Sequence, residues 1–246
     1  MKVYMKVSDR DQLDICTKNL RALNFAHVKL NVVSPRAVEE LVLVHDRSMT
    51  PSTGLIQAQN DQNLDGSEAQ MSVEEFIEEV SKVHADLVVI PCGVDKDELA
   101  LLIEKTPCSI LINRCCMEGE FSIKTVLATD HTLYANLAIE KFRSFRPSGF
   151  SGATVISTEL NGETSTGVAK TQSMRVIDVE AARTSESESL PMPLLKAISQ
   201  ECRAREANLL MVATHSLRNG QPNTLGSLLP EIIDSVNASV LILKAY

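Results

Sequence analysis

The chain has 246 residues, of which 44% are hydrophobic and 23% charged, so it is long enough and apolar enough for two globular domains of about 120 residues each. Its 24 basic and 32 acidic side chains give a net charge of −8, and this balance argues against a nucleic-acid partner. No apolar run approaches the ~20 residues of a bilayer-spanning helix, so no direct membrane insertion is expected.

Apolar runs alternate with helical periodicity along the first half. The runs are Val3–Val7, Leu41–His45, Ala85–Ile90 and Ser109–Ile112. Most are rich in Val, Ile and Leu without polar alternation, which is typical of parallel strands covered on both faces. Amphipathic stripes predict helices over 13–23 and 72–80, and Ser72 and Glu75 have the spacing of a capping box. A helix ending at His45 is the alternative to a strand there.

The second half repeats this order. Its apolar runs are Thr125–Thr129, Met174–Val179, Ala207–Val212 and Ser239–Ile242, and an apolar stripe over 190–202 predicts a helix. Matching positions lie 121, 122 and 130 residues apart in the pairs Asp9 and Asp130, Ala85 and Ala207, Ser109 and Ser239. The spacing indicates a duplication in which the first half is 8 residues shorter between its last two strands.

Strands that alternate with helices form β-α-β units with right-handed crossovers. The predicted fold class is therefore α/β, with two tandem, doubly wound, parallel five-stranded sheets that pack about a pseudo-twofold axis. The predicted domains are residues 1–116 and 121–246, joined by a segment too short to let the halves move freely.

The six cysteines show no C-x-x-C spacing, and the N-terminal residues contain no apolar signal core. A reduced, cytoplasmic location is the expectation, with a redox role for Cys115 and Cys116 as the lesser alternative. The sequence contains no H-E-x-x-H motif, no acidic calcium loop and no G-x-S-x-G. We therefore expect no catalytic residues, no metal site and no enzymatic activity.

Several of these segments resemble the universal stress protein superfamily over nearly the whole chain. They are Ala85–Ile90, Thr106–Arg114, Lys124–Asp130, Val212–Ser216 and Leu225–Leu228. In nucleotide-binding members, a Gly-x-x-Gly pair, nine residues and then Gly-Ser/Thr wrap the phosphates, and an Asp after the first strand holds the adenosine. Glycines suit this loop because their backbone N–H groups can approach phosphate oxygens closely.

The resemblance implies a nucleotide site in the second half. Its residues would be Asp130, Ala213, Thr214, His215, Ser216, Gly226 and Ser227, with nine residues between Ser216 and Gly226. Ala213 and Ser216 occupy the two leading glycine positions, where their side chains would crowd the backbone. Weak binding of ATP or AMP is the expectation, while a helix cap by Ser227 alone is the alternative.

The first half keeps Asp9 but has no such loop, since Pro91 is followed by a short acidic segment that contains Asp95, Asp97 and Glu98. The predicted function is a non-enzymatic sensor or scaffold that acts on a protein partner, with a homodimer expected. The alternative is a cytoplasmic regulatory domain of a cation/proton exchanger or cation–chloride cotransporter, whose partner would be its own membrane domain and which an abrupt first strand at Lys2 would fit. A nucleotide hydrolase would need a general base or metal carboxylates beside the loop, and none is evident.

Overall fold

A computed structural model gives the architecture of the chain. It describes residues 1–25, 27–34, 37–44, 55–56, 71–114, 123–129, 132–145, 150–157, 174–178, 191–213, 225–226 and 228–245. The strands are β1 (Lys2–Lys6), β2 (His27–Ser34), β3 (Ala37–Val44), β4 (Leu55–Ile56), β5 (Leu87–Pro91), β6 (Ser109–Asn113), β7 (Ile123–Thr129), β8 (Phe150–Ser157), β9 (Met174–Asp178), β10 (Leu209–Ala213) and β11 (Ser239–Leu243). The helices are α1 (Arg10–Ala22), α2 (Val73–Lys82), α3 (Lys96–Lys105), α4 (Leu133–Ser144), α5 (Pro191–Ala204) and α6 (Leu229–Ser235).

All described strands belong to one sheet in the order β4-β3-β2-β1-β5-β6-β11-β10-β7-β8-β9. The five strands of the second half, β7 to β11, are mutually parallel, which confirms the doubly wound α/β prediction there. In the first half β2, β1, β5 and β6 are parallel. The strand order β2-β1-β5-β6 thus has its counterpart in β8-β7-β10-β11.

The sheet differs from the prediction in two respects. The halves form one continuous sheet rather than two, because β6 pairs with β11 in an antiparallel ladder. Residues 41–44 of the strand predicted at 41–45 are present within β3, but the strand runs antiparallel to β2. Only two residues separate Ser34 from Ala37, and this connection is far too short for the crossover that a parallel strand requires.

Two layers of helices cover the sheet. On one face α1 and α4 pack over the central strands through Cys16, Leu20, Ala138 and Phe142. On the other face α2, α3, α5 and α6 share a second core that contains Phe76. The central strands β5, β6, β10 and β11 are buried at every position, as the apolar runs predicted. The predicted capping box at Ser72 and Glu75 is confirmed at the start of α2.

Candidate functional site

The carboxyl ends of parallel strands are the usual ligand-binding edge of an open α/β sheet. In the first half the turn from β5 to α3 lies at this edge and contains four residues, 92–95. Asp95 is the N-cap of α3, and its carboxylate accepts hydrogen bonds from the backbone amides of Asp97 at 2.8 Å and Glu98 at 3.4 Å. The amides that would face a phosphate are therefore already bonded to a carboxylate of the chain itself.

Asp9, the carboxylate after the first strand, also has a local partner. It caps α1 and accepts a hydrogen bond from the Gln12 amide at 2.8 Å. The Gln12 side chain accepts one in return from the Ser8 amide, also at 2.8 Å. Both side chains thus bond backbone amides at the helix start, so the position of Asp9 is explained by helix capping alone.

The second half starts its last helix differently. Leu228 is the N-cap of α6, and no side chain among the described residues caps the helix there. Gly226 lies in the turn just before it, and its carbonyl accepts a hydrogen bond from the Leu229 amide at 3.3 Å. The last helices of the two halves thus begin differently in the described part of the chain: a carboxylate caps α3, whereas no described side chain caps α6.

Two of the seven predicted site residues lie within the described part of the chain. Ala213 is the last residue of β10, pairs with Thr129 and Leu243, and is completely buried among the side chains beneath α1 and α4. Gly226 is half-buried in its turn. The remaining five, Asp130, Thr214, His215, Ser216 and Ser227, lie outside the described residues, as do Cys115 and Cys116.

The strands β6 and β11 form a seam between the halves that sequence reasoning missed. In its register Leu111 faces Leu241, Ile110 faces Ile242 and Ile112 faces Val240. Each residue of β6 is 130 positions from its equivalent in β11, and exchanging equivalents reproduces the same three pairs. The seam is therefore self-complementary in register, with Leu111 and Leu241 at its centre.

Serines at the start of each seam strand bond the backbone that follows the other strand. The Ser239 hydroxyl accepts a hydrogen bond from the Arg114 amide, and the Ser109 hydroxyl accepts one from the Lys244 amide, both at 3.2 Å. Ser109 and Ser239 were noted in the sequence only as a spacing of 130 residues, and Arg114 and Lys244 share that spacing. This common interval of 130 residues was the sequence signal that could have identified both serines and both basic residues.

The two basic side chains cap helices of the opposite half. The Arg114 guanidinium donates to the carbonyl of Val236, the C-cap of α6, at 3.0 Å. The Lys244 ammonium donates to the carbonyl of Thr106, the C-cap of α3, at 2.7 Å, and also to that of Ile103. Positive charge at a helix C-terminus satisfies carbonyls that have no intrahelical donor. Lys244 is only 3% exposed, whereas the Arg114 side chain is 27% exposed.

An exposed ion-pair network flanks Arg114. Asp234 of α6 accepts from Lys96 at 2.6 Å and from Arg114 at 3.5 Å. The hydrogen bond from Lys96 lowers the pKa of Asp234, and the same bond raises the pKa of Lys96. Arg114 also lines an open cleft of about 470 Å³ together with Cys92, Gly93 and Asn237. Because Lys96 and Asp234 are exposed, solvent and salt screen this network.

The described cysteines differ sharply in expected reactivity. Burial raises the pKa of Cys16 to about 11, and those of Cys108 and Cys202 to about 12. At pH 8 these three thiols have a thiolate fraction of about one in a thousand or less. Cys92 is exposed. We predict that brief alkylation of the native protein at pH 8 modifies Cys92 and leaves Cys16, Cys108 and Cys202 intact, as read by peptide mass spectrometry.

Alkylation under denaturing conditions is the control, and there all four should react. Rapid native modification of Cys108 or Cys202 would contradict their placement in the core.

The described residues contain neither a metal-ligand cluster nor a membrane-spanning helix. Among the described residues, no group of three or more His, Cys, Asp or Glu side chains could hold a metal ion. No helix in the described ranges combines the length and apolar character needed to cross a bilayer.

The comparison with known proteins rests on solved structures. No protein-family model and no curated protein matches the chain. A universal stress protein from Archaeoglobus fulgidus is similar over 99% of this chain and 98% of its own, at 11% identity and a TM-score of 0.57. A putative universal stress protein from Pseudomonas aeruginosa is similar over 99% and 82%, at 11% identity and a TM-score of 0.46. The similarity to the Archaeoglobus fulgidus structure shows that this chain has the fold expected from the resemblance of its sequence motifs.

Proposed function

This chain has the universal stress protein fold, and from it we propose a non-enzymatic sensor or scaffold whose second half alone takes an adenine nucleotide. The observation that carries the proposal is the contrast between α3, which begins on the Asp95 carboxylate, and α6, which begins without a side-chain cap among the described residues. A phosphate at such a position would bond backbone amides, and in α3 the amides of Asp97 and Glu98 are already bonded to Asp95.

The first half has further features that disfavour an anion. Asp97 and Glu98 add two carboxylates to the first turn of α3, beside Asp95. Lys6 pairs with this group, and its ammonium lies 3.8 Å from Glu98. An ATP phosphate here would displace a carboxylate from the helix and meet like charges. The first half therefore serves as a fixed structural partner for the second.

The proposed ligand in the second half is ATP or AMP. Asp130 follows β7 and would bond the adenosine end, while the segment from Thr214 to Ser227 would surround the phosphates. Ala213 supports weak rather than tight binding, because its side chain belongs to the core and the position has no glycine freedom. A ligand bound by this segment would shift the population of the surface offered to a protein partner.

The test is calorimetric titration of the full chain with ATP and with AMP, using a matched pair of variants. We predict heat at millimolar nucleotide, and Asp130→Asn should weaken binding by about tenfold because one charge-assisted hydrogen bond is lost. Asp9→Asn is the control, since asparagine can still cap α1 and the first half is expected to bind nothing.

Two results would oppose the proposal. Titrations without heat for both nucleotides would show that neither ATP nor AMP is the ligand. A loss of binding in Asp9→Asn but not in Asp130→Asn would show that the nucleotide binds in the first half instead of the second. A nucleotide-free chain would favour the second candidate, a regulatory domain of an ion transporter. The observation in favour of that candidate is that Asp9 and Asp95 both cap helices at the ligand-binding edge of the first half. This leaves the first half a packing role.

A further inference from the structure

The cleft of about 470 Å³ beside Arg114 lies at one end of the seam between the halves. Its four lining residues, Cys92, Gly93, Arg114 and Asn237, all belong to the described part of the chain. The first two follow β5 and Arg114 follows β6, so the cleft is at the carboxyl ends of these strands. Asn237 precedes β11 of the second half. A molecule bound in this seam cleft would therefore contact both halves.

Arg114 has hydrogen-bond donors that the protein does not use. A guanidinium has five N–H groups. Nη1 donates to the Val236 carbonyl at 3.0 Å, and Nη2 approaches the Asp234 carboxylate at 3.5 Å, which is long for a hydrogen bond. Asp234 has a closer partner in Lys96 at 2.6 Å. The remaining N–H groups of Arg114 have no acceptor among the described residues, so they are available to a ligand.

The charge of the seam cleft comes from Arg114, because the other three lining residues are uncharged. The carboxylates at the start of α3 are engaged elsewhere. Asp95 accepts from the helix amides, and Glu98 lies 3.8 Å from the Lys6 ammonium. The Arg114 side chain is 27% exposed, so solvent screens its charge less than it screens a fully exposed one. A carboxylate matches the planar fork of a guanidinium with two parallel hydrogen bonds.

We propose that the seam cleft binds a small organic acid, with its carboxylate on Arg114 and the rest of the molecule against Cys92 and Gly93. One guanidinium suits one carboxylate, and the acidic residues of α3 disfavour a polyphosphate. Gly93 leaves room for the ligand, since nothing lies within 4 Å of the position that a β carbon would take there. Asn237 is exposed, and its amide can bond a second polar group. This site is separate from the proposed nucleotide site and does not depend on it.

Cys92 provides the readout, because its thiol lines the same cleft. Iodoacetate and iodoacetamide both alkylate a thiolate and release iodide, but only iodoacetate carries a carboxylate. The ratio of their rates at Cys92, followed by peptide mass spectrometry at one pH, cancels the thiolate fraction. In Arg114→Gln the ratio of iodoacetate to iodoacetamide should fall roughly three- to tenfold, the effect of one lost charge pair. Asp234→Asn should raise the ratio, because a competing carboxylate is removed.

Arg143→Gln is the matched control. It removes an exposed guanidinium on α4 that is paired with Glu140, so the ratio at Cys92 should stay as in the wild type. The iodoacetamide rate and the circular dichroism of Arg114→Gln show whether that variant keeps its fold. An unchanged ratio in a folded Arg114→Gln protein, or an equal fall in Arg143→Gln, would overturn the proposal.

A second measurement needs no variant. In the wild type, propionate should slow the alkylation of Cys92 by iodoacetamide and saturate at a concentration on the order of millimolar, whereas chloride at equal ionic strength should not. N-acetyl-trialanine carries the same carboxylate at a peptide C-terminus. Protection by this peptide without protection by propionate would assign the cleft to a peptide end and overturn the small acid, as would protection by neither.

Discussion

Replacement of Lys244 by alanine is expected to lower the free energy of unfolding by about 2 to 4 kcal/mol, because buried acceptors lose their donor and a cavity remains. The Lys244 ammonium bonds the carbonyls of Ile103 and Thr106 at the end of α3, and only 3% of the residue is exposed. No solvent can replace the ammonium at that depth without opening the core.

Lys244→Met separates the two contributions. Methionine keeps most of the volume of the side chain, so this variant should recover the packing part of the loss and leave the carbonyl part. Urea titration of the three proteins gives the measurement, provided that the slope of the unfolding free energy stays constant among them. Arg143→Gln, which breaks an exposed pair with Glu140 on α4, is the control and should stay within about 0.5 kcal/mol of the wild type. A Lys244→Ala protein as stable as that control would show that the cap contributes nothing.

Local patterns were sufficient to predict the central strands and the start of α2. The runs at 87–91 and 209–213 are continuous in Val, Ile, Leu and Met because both faces of those strands are covered, and such runs are distinctive in sequence. Ser72 and Glu75 were equally visible, since a capping box is set by residues three apart. Information of this kind lies within a single element.

The direction of β3 was available but overlooked. Its apolar run predicted a strand, and comparison with Met174–Asp178 suggested a parallel one. The two-residue connection after Ser34 permits only an antiparallel hairpin, which is the arrangement found. The short connection between β2 and β3 therefore determines the direction of β3, and the comparison with the second half does not. The strand β2 was missed because Lys29 and Asn31 interrupt its apolar pattern on the more exposed face.

The candidate site was harder to predict than the fold. Spacing predicted the positions of a phosphate loop, which stays a prediction, but it gave no account of what the first half uses Asp9 and Asp95 for. The cross-half caps at Arg114 and Lys244 join residues more than 120 positions apart. Helical and strand periodicities carry no information over that distance, and only the repeat interval of 130 residues did.

The seam supplies the second large expected effect. Leu111 and Leu241 face each other at its centre and are both completely buried. Leu111→Asp would place an unpaired carboxylate in that apolar contact, and the expected loss of unfolding free energy is about 4 kcal/mol or more. Because Leu111 and Leu241 are equivalent residues that pair with each other, Leu241→Asp should lower the unfolding free energy by about the same amount. Equal losses at the two positions are a specific consequence of the self-complementary pairing.

Leu137→Asp is the matched substitution on a solvent-facing site. Leu137 of α4 is 50% exposed, so aspartate there should change stability by no more than about 0.5 kcal/mol. The three variants to compare are Leu111→Asp, Leu241→Asp and Leu137→Asp. Circular dichroism gives their unfolding midpoints, and small-angle scattering shows whether the two halves separate. Suppose Leu111→Asp keeps the wild-type unfolding midpoint while scattering reports two separate lobes. The halves would then be independently stable, and the continuous sheet would be a soft contact rather than the core of the molecule.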